Sequence, residues 1–156
     1  MKEHFPFFIP SSNKKVLIFG GGHIALRRIK TLMKFNFEIK IVSPTLCDEL
    51  QELVILNKID YFKGIYEKRY ITDQFVILAC TDSRQVNKQI GIDSKEHNIY
   101  VSVCDNFEEC TIYFPAIIND TTITVGVVGN GKDHKKVKNV ADKIRNIINK
   151  DEDICI

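Results

Sequence analysis

Apolar and polar residues are blocked along this chain with two distinct periods. "KVLIF" (15–19) is a short apolar run of β-branched and large residues followed directly by glycines, which predicts a buried strand. From His23 to Lys34 the apolar residues Ile24, Ala25, Ile29, Leu32 and Met33 recur at helical spacing, with Asn36 as the stop. "EIKIV" (38–42) alternates as a second strand. Thr45 with Asp48 resembles a helix-capping pair, and Leu46, Leu50, Leu53, Val54 and Leu56 supply the buried stripe of the next helix. "IDYFK" (59–63) predicts a weaker third strand, "QFVILAC" (74–80) a strong fourth and "YVSV" (100–103) a fifth. Between the last two, "TDSRQVNKQIGIDSKEHN" opens on capping residues. Its inner face is Val86 and Ile90, with Ile92 a further candidate.

Strand and helix in turn predict an α/β fold: a Rossmann-type parallel sheet with helices on both faces and right-handed crossovers. After residue 104 the rhythm changes. "TIYFPAIIN" and "TTITVGVVGNG" are strand-like runs joined by a polar "NDT" turn, and one helix follows at about 135–150. A hairpin with a lone helix cannot bury both its faces, so it is expected to pack on the main domain or on a second copy of itself.

With 156 residues, 44% hydrophobic and 27% charged, the chain has the balance of a soluble globular protein. A net charge of +2 gives no reason to expect nucleic acid as a partner. No apolar stretch reaches the ~18 residues of a membrane span, and the N-terminus lacks a signal peptide's pattern. The five cysteines form no C-x-x-C pair, and Cys80 and Cys104 end apolar runs, the usual setting of a buried free thiol. A reducing cytoplasm fits them best. "GKDHKKVKNVADK" holds five lysines and a histidine, which read as a solvated helix face unless the substrate is a polyanion.

The chemistry begins at Gly20-Gly21-Gly22-His23-Ile24-Ala25, a G-x-G-x-x-A fingerprint between a strand and a helix. Gly20 permits a tight turn, Gly22 lets backbone approach a pyrophosphate, and Ala25 allows close helix–sheet packing. His23 and Ile24 open the helix whose N-terminus would face the phosphates. A glycine turn without ligand is the plainer alternative, as is a solvated helix-start role for His23. The acid expected about 20 residues later to hold the ribose is missing. Ser43, Pro44 and Thr45 stand there instead, where a hydroxyl or backbone group can bond a ribose. No arginine lies in 41–47 to greet a 2′-phosphate, so NAD is favoured over NADP. Thr81 and Asp82 follow the fourth strand toward the same crevice, although Asp82 or Ser83 equally suits a helix N-cap.

Several stretches in the same order resemble one family. "FPFFI", "GGGHIALRR", "VSP", "CTDSRQVN", "VSVCDN" and "YFPAII" are similar to the precorrin-2 dehydrogenase family, the N-terminal type of siroheme synthase. The resemblance runs from about Phe5 to about Arg145. It implies an NAD-dependent oxidoreductase that converts the tetrapyrrole precorrin-2 to sirohydrochlorin, and a homodimer that exchanges the hairpin at about 112–131. It also accounts for the Ser-Pro pair in place of the ribose acid. The implied organisation is an NAD-binding domain over 1–111, a dimerisation hairpin and helix over 112–150, and an acidic tail over 151–156.

The family's catalytic aspartate matches Asp105 in "VCDN", where a carboxylate near the nicotinamide can take a proton. Asp105 followed by Glu108 also reads as a helix-capping box. A substrate bearing many carboxylates calls for a basic rim, for which Arg27, Lys132 and His134 are the candidates, with Arg28, Lys135 and Lys136 behind them. Where relatives read G-G-K-S-P, this chain has "GNGKDHKK", with Asp133 and His134 in place of Ser and Pro. Four histidines without paired-ligand spacing suggest no dedicated metal site. Two other readings stay open: an NAD(H)-binding regulatory module without catalysis, and a sirohydrochlorin ferrochelatase.

Overall fold

A computed structural model describes residues 4–56 and 58–152, with side chains as far as 148. Among these, β1 (Lys14–Phe19), β2 (Phe37–Ser43), β3 (Asp60–Lys63), β4 (Val76–Ala79) and β5 (Tyr100–Val103) form one parallel sheet in the order β3-β2-β1-β4-β5. The helices α1 (His23–Leu32), α2 (Asp48–Ile55) and α3 (Arg84–Glu96) follow β1, β2 and β4. Strand order reverses between β1 and β4. Right-handed crossovers therefore set α1 and α2 on one face and α3 on the other, and open a crevice at the carboxyl ends of β1 and β4.

The central strands read as continuous apolar runs because both faces of the sheet are covered. Val16 to Phe19 and Val76 to Ala79 are all buried, and Phe19, Val42, Ile77, Val101 and Ile90 share one core cluster. At the β3 edge Asp60 and Lys63 are exposed, charged side chains that discourage pairing with another chain.

Several boundaries differ from the sequence reading. Helix α1 ends at Leu32 with Met33 as its cap, so Asn36 lies in the turn beyond it. Its inner face is Ala25, Leu26, Ile29 and Leu32, whereas Ile24 is 48% exposed. The cap of α2 is Cys47, without a side-chain bond, so Thr45 and Asp48 do not pair as a cap. Leu56 is exposed there, since α2 ends one residue earlier. Ile92 is exposed too, and the inner face of α3 is Asn87, Ile90, Gly91, Asp93 and Ser94. Between β3 and β4 the alternation lapses into a single 3₁₀ turn, Lys68–Tyr70.

The chain divides into two compact units: Phe8–Ile112, which holds the sheet, and a second made of the segment up to Phe7 with the chain from Tyr113 onward. In the second unit β6 (Ala116–Asn119) pairs antiparallel with β7 (Thr124–Val127), and α4 (His134–Glu152) follows. The Asp120 carboxylate closes the turn by accepting from the Thr122 and Ile123 amides, each at 2.7 Å, and those bonds hold its pKa below the usual carboxylate value. Among the described residues of this unit only Ile118 and Ala141 are buried hydrophobics.

Candidate functional site

The turn from β1 into α1 is built from glycines for three separate reasons. Gly20 has φ +111°, and a Cβ there would lie 2.2 Å from the Cys80 carbonyl oxygen. Its amide donates to Val42 O at 3.0 Å while the Cys80 amide donates to Phe19 O at 2.8 Å, so the turn is tied to the ends of β2 and β4. Gly21 is crowded from the other side: a Cβ there would meet Thr45 O at 2.1 Å, and its carbonyl accepts from the Cys47 amide at 2.8 Å. At Gly22 a Cβ would meet nothing within 4 Å. Gly22 is the N-cap of α1, with no side chain capping it and no acid in the first turn. By contrast Ser83 caps α3 by accepting from the Val86 amide at 3.4 Å. The positive end of α1 is thus left for an anionic ligand approaching over Gly22.

That approach opens into a cavity of about 510 Å³. Its walls are the glycine turn with His23, the β2 end from Val42 to Cys47, the Gly64–Tyr66 loop after β3, and Cys80–Ser83 with Val86. Among the described residues no lysine or arginine lines it, and its only acid is Asp82. Ser43 is buried, and its hydroxyl donates to Thr45 O at 2.7 Å. Its carbonyl accepts from the Tyr61 hydroxyl at 3.0 Å and the Gly64 amide at 3.2 Å. Ser43 therefore shapes the loop, and Pro44 and Thr45 form its exposed rim.

The opposite wall is held by a clamp. Tyr66 packs edge-on against Phe19, ring centroids 4.9 Å apart, and donates its hydroxyl to Asp93 on α3. Asp93 also accepts from Gln89 at 3.1 Å and pairs with Lys68 at 3.4 Å. Burial works to raise the Asp93 pKa, but the bonds from Tyr66, Gln89 and Lys68 outweigh it and hold the carboxylate below its usual range. Burial, then the bond and charge of Asp93, pushes the Tyr66 hydroxyl well above its ordinary value, so it remains a donor.

A second knot joins the ends of β4 and β5. Asn87, buried on α3, donates through Nδ2 to Thr81 O and to Asp105 Oδ2, both at 2.9 Å. Its Oδ1 accepts from the Thr81 amide at 3.0 Å and the Thr81 hydroxyl at 2.7 Å. Asp105 meets Arg84 at 3.4 Å on its other oxygen, and Arg84 also pairs with Glu109. The capping-box reading of Asp105 does not hold: the 3₁₀ turn Phe107–Glu109 is capped by Asn106, which accepts from the Glu108 amide at 3.0 Å. Asn87→Ala strands a buried backbone donor and removes the one amide holding the Asp105 carboxylate. It is expected to cost about 2–4 kcal/mol, read as a lower urea midpoint at unchanged m-value.

Of the residues singled out in the sequence, Gly20, Gly22, His23, Ser43, Pro44, Thr45, Thr81 and Asp82 all line the one cavity. Ile24 does not line it, and neither does Asp105, which stands two hydrogen bonds behind Thr81 through Asn87. Arg27 is exposed on α1, away from the cavity walls. Lys132 and His134 are exposed in the second unit, before and at the start of α4. Asn87, Gly21 and the Gly64–Tyr66 loop escaped the sequence reading. Asn87 was findable as a polar residue on the stripe that carries Ile90, Gly91 and Ser94. No group of three or more His, Cys, Asp or Glu is placed to hold a metal among the described residues.

A family model described as "Putative NAD(P)-binding" matches residues 7–116, which hold the glycine turn, the cavity and Asp105. The chain belongs to this NAD(P)-binding family. As an NAD(P)-binding domain it takes a nicotinamide dinucleotide, and the uncapped α1 terminus over Gly22 suits its pyrophosphate. The domain is 46% identical over 144 residues to the "Probable multifunctional siroheme biosynthesis protein HemA" of Ruminiclostridium josui, covering 92% of this chain and 28% of that protein. It is 31% identical over 146 residues to the siroheme synthase of Pseudoalteromonas translucida, covering 94% of this chain and 31% of the other. The chain thus spans less than a third of the length of these curated relatives. Among solved structures, "SirC, precorrin-2 dehydrogenase" shares the fold at a TM-score of 0.78 and 22% identity, covering 92% of this chain and 70% of that one. No helix among the described residues is long and apolar enough to cross a membrane.

Proposed function

We propose that this domain oxidises precorrin-2 to sirohydrochlorin with NAD. The observation that carries the reading is the Thr81–Asn87–Asp105 knot, which holds a carboxylate behind the wall of a dinucleotide cavity. The names of the relatives in siroheme biosynthesis and of the structural neighbour support the substrate. The oxidation removes a hydride and a proton from the macrocycle. NAD, when bound, supplies the hydride acceptor.

The chain's own residues do the rest. Gly22 and the α1 terminus seat the pyrophosphate, and Thr45 at the exposed rim offers a hydroxyl to the ribose. Without lysine or arginine in the walls, a 2′-phosphate finds no counter-charge, which favours NAD over NADP. Asp105 accepts the proton at its carboxylate oxygen, oriented by Asn87 and Arg84. On the sheet unit, Arg27 is a basic side chain offered to the substrate's carboxylates.

In this reading the second unit is a homodimerisation arm. Ile123, Val128, Val140 and Ile147 are all exposed on it, as are Phe5 and Phe7, apolar surface that a second copy of the chain would cover. The described cysteines are all free thiols, which suits the cytoplasm.

The test supplies precorrin-2 with NAD⁺ and follows NADH and sirohydrochlorin together. Equal amounts of both products are expected, with NADP⁺ at least tenfold weaker in kcat/KM. A folded protein that binds NAD⁺ without turning over precorrin-2 overturns the activity. Equal use of the two cofactors overturns the preference.

A further inference from the structure

Cys80 and Cys104 stand at the carboxyl ends of the neighbouring strands β4 and β5. The parallel register pairs Leu78 with Ser102 and Ala79 with Val103, so the two cysteines occupy the next pair of positions. The Cys104 amide donates to Ala79 O at 3.0 Å, continuing the ladder, and the two sulfurs lie 2.9 Å apart. Adjacent strands run about 4.8 Å apart, within the range of Cα separations that a disulfide spans.

We propose that Cys80 and Cys104 form a redox-active dithiol, in which Cys104 attacks a peroxide and Cys80 resolves the product into a disulfide. Neither thiol has a part in the dehydrogenation proposed above. In the first step the Cys104 sulfur bonds to one peroxide oxygen as the O–O bond breaks. The other oxygen leaves and takes up a proton as water, and Cys104 becomes a sulfenic acid. In the second step the Cys80 sulfur bonds to the Cys104 sulfur, and the S–O bond breaks. Hydroxide leaves with the Cys80 proton as a second water. Two thiols and one peroxide thus give one disulfide and two waters.

The roles follow from the surroundings of each sulfur. The hydrogen bond to Cys104 pushes Cys80 up, and burial adds to it, so Cys80 keeps its proton and donates it. The same bond lowers Cys104 to about 7; burial opposes this, and the Arg28 guanidinium adds to the lowering by charge and hydrogen bond. Asp105 raises Cys104, and Cys110, pushed up first by burial, is raised further by the charge of Cys104. A thiolate of this kind combines a high ionised fraction at neutral pH with good nucleophilicity. The disulfide would link the residue before Thr81 to the residue before Asp105, the two loops that Asn87 already joins.

The experiment treats the reduced full chain with one equivalent of hydrogen peroxide, blocks residual thiols with iodoacetamide and maps disulfides by peptide mass spectrometry. A Cys80–Cys104 linkage is expected as the main product, with two free thiols lost per chain. C80S should accumulate a Cys104 sulfenic acid trapped by dimedone, whereas C104S should give no adduct at Cys80. Oxidation at pH 5.5 should be about fifteenfold slower than at pH 7, following the thiolate fraction. Oxidation falling first on Cys47, or a C80S variant without a dimedone adduct on Cys104, overturns the proposal. Should C80S fail to fold, the linkage map and thiol count of the native chain still decide.

Discussion

Gly20→Ala is expected to lower the unfolding temperature by about 10 °C and to abolish measurable dinucleotide binding. Alanine at φ +111° is strained by about 1–3 kcal/mol. The added methyl also overlaps the Cys80 carbonyl, 2.2 Å away, which is fixed backbone and not a side chain that can swing aside. Together these cost about 3–5 kcal/mol, and each kcal/mol moves the midpoint of a domain of this size by about 2–4 °C. Relief requires β1 and β4 to part at the mouth of the cavity. Gly22→Ala separates the two effects. Its methyl meets nothing within 4 Å, so the melting temperature should hold while affinity for NAD⁺ falls at least tenfold. Calorimetry of both variants with NAD⁺ titrations checks the pair. Tight NAD⁺ binding by a stable Gly20→Ala protein would contradict the assigned role of the turn.

Asp105→Ala should reduce kcat for precorrin-2 oxidation by about 10²–10⁴-fold, the usual contribution of a positioned general base. Affinity for NAD⁺ should stay within about twofold, because Asp105 lies outside the cavity walls. Stability should fall by about 1–3 kcal/mol, because the buried Asn87 amide loses its Asp105 acceptor, while the half-exposed Arg84–Asp105 pair adds only about 0–1 kcal/mol. Arg84 also keeps Glu109 as a partner. Activity lost in step with folded protein would instead mark Asp105 as structural. The kcat split, NAD⁺ titration and melting curve are read on one preparation.

Much of this was legible in the chain because the sheet reports itself directly. Strands buried on both faces must be apolar throughout, so "KVLIF" and "FVILA" announce β1 and β4 without neighbours. The glycine turn was equally plain, since the positive φ at Gly20 leaves few other choices there and Gly22 follows it at the G-x-G spacing. Gly21 was opaque, because its need for a bare Cα comes from Thr45 and Leu46, more than twenty residues away. Asn87 was hidden for the same reason: its partners Thr81 and Asp105 meet it only after β4, α3 and β5 are assembled. The α2 stripe misled at its end because Leu56 looks like a core residue and is solvent-exposed. Periodicity marks which residues can face inward, and the end of the helix decides which of them do.

Helix α3 reaches both sides of the crevice. Near its start Asn87 carries the Thr81 and Asp105 loops, and in its last turns Asp93 and Glu96 carry Tyr66 and Lys68. A rod anchored at both ends in this way acts as a crossbeam from which two walls hang. A slide of α3 along its axis cannot widen the mouth at one wall while leaving the other in register. The Tyr66 wall of the cavity and the Asp105 loop thus hang from one helix, and a loosened joint at Asp93 should be felt at Asp105.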